Sequence, residues 1–250
     1  MMQTIRLNPW VKCLNPSPSP TLRLFCFPYA GGGSAIFRPW LPQLPDPTAI
    51  EICTIQLPGR EERFREPPLT CLATLVQTLS QELCPYLDVP FTFFGHSMGA
   101  LIGFELANYL QAHQNPMPIH LFVSGCPSPR SVRKKGRYTL SDQDLLTELQ
   151  HLKGTPQQVL ENPELMQMLL PTLRADFTLC ETYAYSPQEP LTCGISVFGG
   201  LQDAEAPLDS LFGWSEHTCI SFSQYFLPGE HFFLHSHYAS ILEVIIQQVS

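Results

Sequence analysis

Charge is scarce in this chain: Asp, Glu, Lys and Arg make up 14% of its 250 residues, against about 25% in an average globular protein. With 25 prolines as well, long solvated helices and coiled coils are disfavoured. Positive charge is the scarcer sign, 14 basic residues against 22 acidic for a formal charge of -8. That balance argues against a general nucleic-acid binder, which needs a net basic face to neutralise phosphates. Long apolar runs are missing too. The charge-free stretch 89–104 has 16 residues and includes His96 and Ser97, short of the ~20 apolar residues of a membrane span. The opening MMQTIRLNPWVKCLNPSPSP has no apolar core of a secretory signal. No cysteine pair has C-x-x-C spacing, and the nine cysteines are odd in number, so reduced, mostly buried thiols and a cytoplasmic location are expected. A chain of this length buries roughly three quarters of its unfolded surface and needs neither disulfide nor metal to hold its core.

What is present is an alternation. Short runs rich in β-formers, at 22–27, 50–57, 91–94, 119–124, 195–198 and 220–226, are separated by helical patterns at 71–86 and 98–113. A last helix over 238–249 places Ile241, Leu242, Ile245, Ile246 and Val249 on one stripe. This rhythm predicts an α/β domain spanning 1–250 with a mostly parallel central sheet and flanking helices. One interval departs from it: 69 residues separate Ser124 from Cys193, where a simple crossover unit takes about 30. A helical lid over 131–190 is expected there, with Ser141 or Asp142 and Asn162 as helix starts and Gly154, Pro156 and Pro171 as punctuation.

Chemistry concentrates at Gly95-His96-Ser97-Met98-Gly99, a G-x-S-x-G motif between a strand and a helix. The motif puts a nucleophile on a strained turn, where side chains at the two glycines would collide with neighbouring backbone. A serine hydroxyl needs a base, and the base an orienting carboxylate, in the chain order Ser, acid, His on such a scaffold. Of the eight histidines, His217, His231, His235 and His237 lie late enough. His231 stands out, in a glycine-containing loop between the last strand and the last helix. His235 and His237 are expected at the surface or as caps, and His96 in a packing or hydrogen-bonding role. The acid expected after the preceding strand is Asp203, with Glu205 two residues on as the alternative. An oxyanion requires two backbone donors: Met98, following the nucleophile, and Ala30 in the glycine loop Phe27-Pro28-Tyr29-Ala30-Gly31-Gly32-Gly33. That loop lacks the endings of phosphate-cradling motifs.

Five segments in order carry a family resemblance: LFCFPYAGGG from Leu24, QLPGREER from Gln56, GHSMG from Gly95, LRADF from Leu173 and PGEHFFL from Pro228. The chain resembles the type II thioesterases, the stand-alone editing enzymes of nonribosomal peptide and polyketide assembly lines, nearly from end to end. One departure is Ala204, where many relatives carry proline after the acid. The resemblance implies an α/β-hydrolase fold, a Ser97, Asp203, His231 triad and hydrolysis of stalled or misprimed acyl groups from the phosphopantetheine of acyl or peptidyl carrier proteins. Similar enzymes release medium-chain fatty acids from fatty-acid synthase. Other ester hydrolases of the fold, a cyclising terminal thioesterase and a non-catalytic carrier-docking protein are the alternatives. Neither metal nor redox cofactor is expected, nor a nucleic-acid or membrane partner, and a monomer is expected. Arg60 and Arg63, with Glu61, Glu62 and Glu66, read as a surface or loop ion-pair set, and Arg174 and Asp176 as structural lid residues. Arg130, Arg133, Lys134, Lys135 and Arg137 form a basic run read as a solvated lid hinge or as an attraction for an anionic carrier.

Overall fold

The computed structural model describes residues 8–131 and 135–249. Strands β1 (Val11–Cys13), β2 (Leu22–Phe27) and β3 (Ile50–Ile55) precede helix α1 (Leu72–Leu83). Strand β4 (Phe91–His96), α2 (Met98–Ala112) and β5 (His120–Ser124) follow. Between β5 and β6 (Gly194–Gly200) the described residues form the α-helices α3 (Asp142–Leu152), α4 (Gln157–Leu160) and α5 (Pro163–Glu181). Then come α6 (Leu208–Leu211), β7 (Phe222–Leu227) and α7 (Leu234–Val249). The strands form one sheet in the order β1-β3-β2-β4-β5-β6-β7. Among the described residues only β1 runs antiparallel to its neighbour, so the expected mostly parallel sheet is present.

Strand periodicity divides the core into two layers. Along β2, Phe25 and Phe27 join Leu75, Leu79 and Ala100 of α1 and α2 on one face. Leu24 and Cys26 join Phe37, Trp40 and the α7 residues Ile241, Leu242 and Ile245 on the other. Each of those three α7 side chains contributes about 1.5–3 kcal/mol by leaving water. That explains why the helix continues past His237, whose φ of -122° breaks its regularity. Both sheet faces being covered, the central strands read as near-continuous apolar runs.

Two sequence expectations change. β1 was not expected: three residues give too short a pattern, and pairing with β3 makes them a strand. In that pairing Cys13 faces Cys53 as a thiol, the sulfurs 2.9 Å apart. Ser141 and Asn162 do cap α3 and α5, accepting hydrogen bonds from backbone N–H groups in the first turn. Pro171, however, lies inside α5 instead of ending a helix. Its ring is exposed, while Leu170, Thr172 and Leu173 beside it are buried. Packing outweighs the lost hydrogen bond. Pro171→Ala should therefore raise stability, by up to about 3 kcal/mol, because alanine restores the missing donor. A urea midpoint at or below the parent's would contradict this.

Candidate active site

The turn at Ser97 joins β4 to α2 with φ 53° and ψ -116°, in the positive-φ region that non-glycine residues seldom occupy. Ser97 donates its backbone N–H to Ser124 O at 2.8 Å, fixing the turn to β5. A Cβ at Gly95 would lie 2.2 Å from Gly99 O, and one at Gly99 2.1 Å from Phe27 O. Both glycines are thus required by close backbone approach.

The other predicted residues converge on this serine. His231 Nε2 is 3.1 Å from Ser97 Oγ, and His231 Nδ1 is 2.9 Å from Asp203 Oδ2. Asp203 is buried, and its second oxygen accepts the N–H groups of Glu205 and Ala206 at 2.8 and 3.1 Å. The loops carrying Asp203 and His231 are laced together: Gln202 donates its N–H to Gly229 O, and Gly229 donates its N–H to Gln202 Oε1. Ala30 and Met98 line the same cavity as Ser97. Met98 is the first residue of α2, where N–H groups have no partner within the helix.

Of the histidines set aside, His235 is exposed and its Nε2 meets Tyr29 Oη at 2.9 Å. His237 sits at the α7 break, and His217 is buried against Phe104 and Trp214. His96 is fully buried, with Nδ1 2.9 Å from Ser124 Oγ and its ring 5.1 Å from that of His231. Burial first, then the nearby His231, hold its pKa well below the ordinary histidine range. A neutral ring therefore lies beside that of His231.

The cavity has two lobes that meet at Ser97 and His231. The smaller, about 140 Å³, includes Cys126, Pro127, Phe177, Arg137 and Glu205. The larger, about 320 Å³, runs under the inserted helices past Leu149, Leu152, Val159 and Leu169. Glu205, the alternative acid, is engaged elsewhere: Arg137 Nη1 and Lys135 Nζ reach it at 2.9 and 2.8 Å. Burial opposes its ionisation, yet the hydrogen bonds from Arg137 and Lys135 prevail and bring its carboxyl down to about 2.

Of the basic residues of this run that are described, Arg130 and Lys135 are exposed and Arg137 is buried. Arg137 also pairs with Glu148, while Arg130 pairs with Glu216. Arg133 and Lys134 lie outside the described residues. The Arg60 and Arg63 set is not superficial, both side chains being buried. Arg63 donates to Gln56 O and Glu66 and lies over the Trp10 ring, 3.9 Å from its centroid. Arg60 grips Asp176 of α5 through two hydrogen bonds, at 2.7 and 2.9 Å. Sequence reasoning had both members of this pair but no means of joining residues 116 positions apart.

A model of the thioesterase domain family matches residues 22–249. The chain belongs to the thioesterase family. Thioester hydrolysis is its activity, on an α/β-hydrolase fold. Gramicidin S biosynthesis protein GrsT of Aneurinibacillus migulanus is 44% identical over 98% of this chain and 95% of its own length. Linear gramicidin dehydrogenase LgrE of Brevibacillus parabrevis is 42% identical over 98% of this chain and 94% of its own. Among solved structures, the type II thioesterase BorB from the borrelidin biosynthetic cluster superposes with a TM-score of 0.88 at 34% identity, covering 96% of this chain and 98% of BorB. The name dehydrogenase finds no counterpart in this thioesterase's glycine loop, where Gly31-Gly32-Gly33-Ser34-Ala35-Ile36 is not G-x-G-x-x-G.

The Glu205 environment predicts a pH signature. Its folded pKa of about 2 lies below the ordinary 4.5, so the ion pair's stabilisation is present above about 4.5 and is lost as pH falls toward 2. The stability difference between the parent and Glu205→Gln should shrink over that interval. A difference constant from pH 6 to pH 3 would show that the pair contributes nothing through ionisation.

Proposed function

We propose that this thioesterase is a stand-alone serine enzyme that clears stalled or misprimed acyl groups from carrier proteins of a nonribosomal peptide or polyketide assembly line. The observation that carries the chemistry is the continuous contact from Asp203 through His231 to Ser97, at 2.9 and 3.1 Å, at the junction of two cavity lobes. Ser97 Oγ attacks the thioester carbonyl while His231 Nε2 takes its proton. Asp203 holds the other ring nitrogen and stabilises the imidazolium that forms. The oxyanion is held by the N–H groups of Met98 and Ala30. Collapse of the tetrahedral intermediate breaks the C–S bond, and the His231 imidazolium gives its proton to the departing sulfur, which leaves His231 neutral again. The leaving sulfur needs little help, because thiol pKa values lie near 8–9. Water then attacks the acyl-enzyme, giving its proton to His231, and the second intermediate returns Ser97 and releases the carboxylic acid. Two lobes suit a substrate with two arms: the apolar lobe takes the acyl chain and the smaller one the pantetheine.

Carrier editing is supported by the relatives, since GrsT is named for gramicidin S biosynthesis and BorB as a type II thioesterase from a biosynthetic cluster. Acyl or peptidyl carrier domains are accordingly the proposed partners.

Ser97→Ala and His231→Ala should each lower thioester turnover by several orders of magnitude with the fold intact, because the triad acts as a unit. Asp203→Asn should lose kcat ~10³–10⁴-fold, and Glu205→Gln far less. Near-normal turnover in a folded Ser97→Ala protein would refute the covalent mechanism, and equal small losses at 203 and 205 would place the acid elsewhere.

Carrier specificity has its own test. Acyl-carrier protein and acyl-coenzyme A present the same pantetheine thioester, so any excess of kcat/KM for the carrier comes from protein contacts retained in the transition state. A higher kcat/KM on the carrier is expected. Equal values would make a general acyl-thioester hydrolase the better reading.

A further inference from the structure

The Arg60 and Asp176 pair presents an energetic puzzle. Both side chains are almost wholly withdrawn from solvent, at 6% and 2% exposure. Desolvation largely cancels the attraction in such pairs, and well-packed apolar replacements are often equally or more stable. Stability alone therefore does not account for a buried ion pair here. Its remaining contacts do. Asp176 Oδ2 accepts the Gly31 N–H at 2.7 Å, and Arg60 Nη1 donates to Gly32 O at 3.1 Å. One pair thus holds a donor and an acceptor of consecutive residues in the glycine loop, immediately after Ala30.

Gly31 stands at φ +76° with Leu173 of α5 packed where a Cβ would be, 2.6 Å away. Gly32 donates its N–H to Tyr29 O at 2.9 Å. Because the Tyr29 carbonyl and the Ala30 N–H share one planar peptide unit, the bond that fixes the first aims the second. That turn closes only if Gly32 stays in place, and Arg60 and Asp176 keep it there. Thr172, one turn earlier on α5, donates to Gly59 O at 2.7 Å and anchors the helix to the segment that carries Arg60.

We infer that Asp176, held by Arg60, is a positioning residue for the oxyanion loop: it fixes the backbone from Tyr29 to Gly32 so that the Ala30 N–H faces the carbonyl attacked by Ser97. The inference rests on the oxyanion role proposed for Ala30. It joins the inserted helix α5 to the chemical step through hydrogen bonds to main chain, with no contact between Asp176 and substrate. The acceptor oxygen, not the charge, is the element that catalysis needs.

Variants of the full chain that separate oxygen from charge test this, with melting temperature, kcat and KM measured on the S-acetyl thioester of N-acetylcysteamine. Asp176→Asn keeps an oxygen for Gly31 but leaves Arg60 buried without its counter-charge, so the melting temperature should fall while kcat stays within about five-fold of the parent. The double variant Arg60→Met, Asp176→Leu should recover a melting temperature near the parent's. It leaves Gly31 without an acceptor, and its kcat should fall ~10–100-fold with little change in KM, as for a weakened oxyanion donor.

Stability and activity should therefore rank the two variants in opposite orders. A kcat that follows melting temperature, or a double variant with parental kcat, would overturn the inference. If the double variant does not fold, Asp176→Ala takes its place. Both single variants break the ion pair, and only asparagine retains the acceptor, so kcat for Asn should exceed that for Ala about ten-fold or more. Equal values would overturn the inference. Ser97→Ala measured alongside separates the two levels: turnover surviving there refutes the serine mechanism itself, whereas an inactive Ser97→Ala beside a fully active double variant refutes only the positioning role.

Discussion

The backbone reversal at Ser97 is the constraint on which the site depends. A residue at φ 53° between β4 and α2 is tolerable only because β4, α2 and the end of β2 touch without side chains between them, at Gly95 and Gly99. That close approach has consequences beyond the serine. It brings the loop after β2 against the first turn of α2, so the Ala30 and Met98 segments border one cavity. Because β2, β4, β5, β6 and β7 are parallel, their C-terminal ends lie along one edge of the sheet. The loops after β6 and β7 then deliver Asp203 and His231 to the same edge.

Two carboxylates two residues apart illustrate how environment assigns roles. Asp203 turns toward His231 and satisfies its other oxygen with backbone N–H groups, which fixes its direction. Glu205 turns toward Arg137 and Lys135 and is neutralised by them. Arg137 also reaches Glu148 on α3, so the same ion-pair cluster ties the inserted helices to the loop that follows Asp203.

The insertion is anchored as well as apolar. Leu145, Leu149, Met166, Leu170, Leu173 and Phe177 give it a small core of its own. Thr172 and Asp176 pin the later part of α5 to the segments around Gly59 and Gly31. The part of the larger lobe lined by α5 is consequently continuous with the segments around Gly59 and Gly31, while α3 and α4 add Leu149, Leu152 and Val159 to its lining.

What the sequence determined by itself were the features encoded over short spans. Strand alternation at β2, the G-x-S-x-G turn, the caps at Ser141 and Asn162 and the glycine loop each depend on residues within a few positions of one another. Their physics is local: side-chain period, dihedral preference, a hydroxyl or amide reaching a nearby N–H. Chain order placed a late loop histidine and an acid after β6 among the candidates, and the structure brings His231 and Asp203 to Ser97. Only the tertiary structure decided the rest. β1 is a strand because β3 offers it partners, and Pro171 stays in a helix because its neighbours are buried. Arg60 is an interior residue because α5 lays Asp176 across it. Each outcome turns on the energy of burying or pairing groups distant in sequence, which no local pattern contains, so arginines that read as surface charge proved to be interior supports of the site.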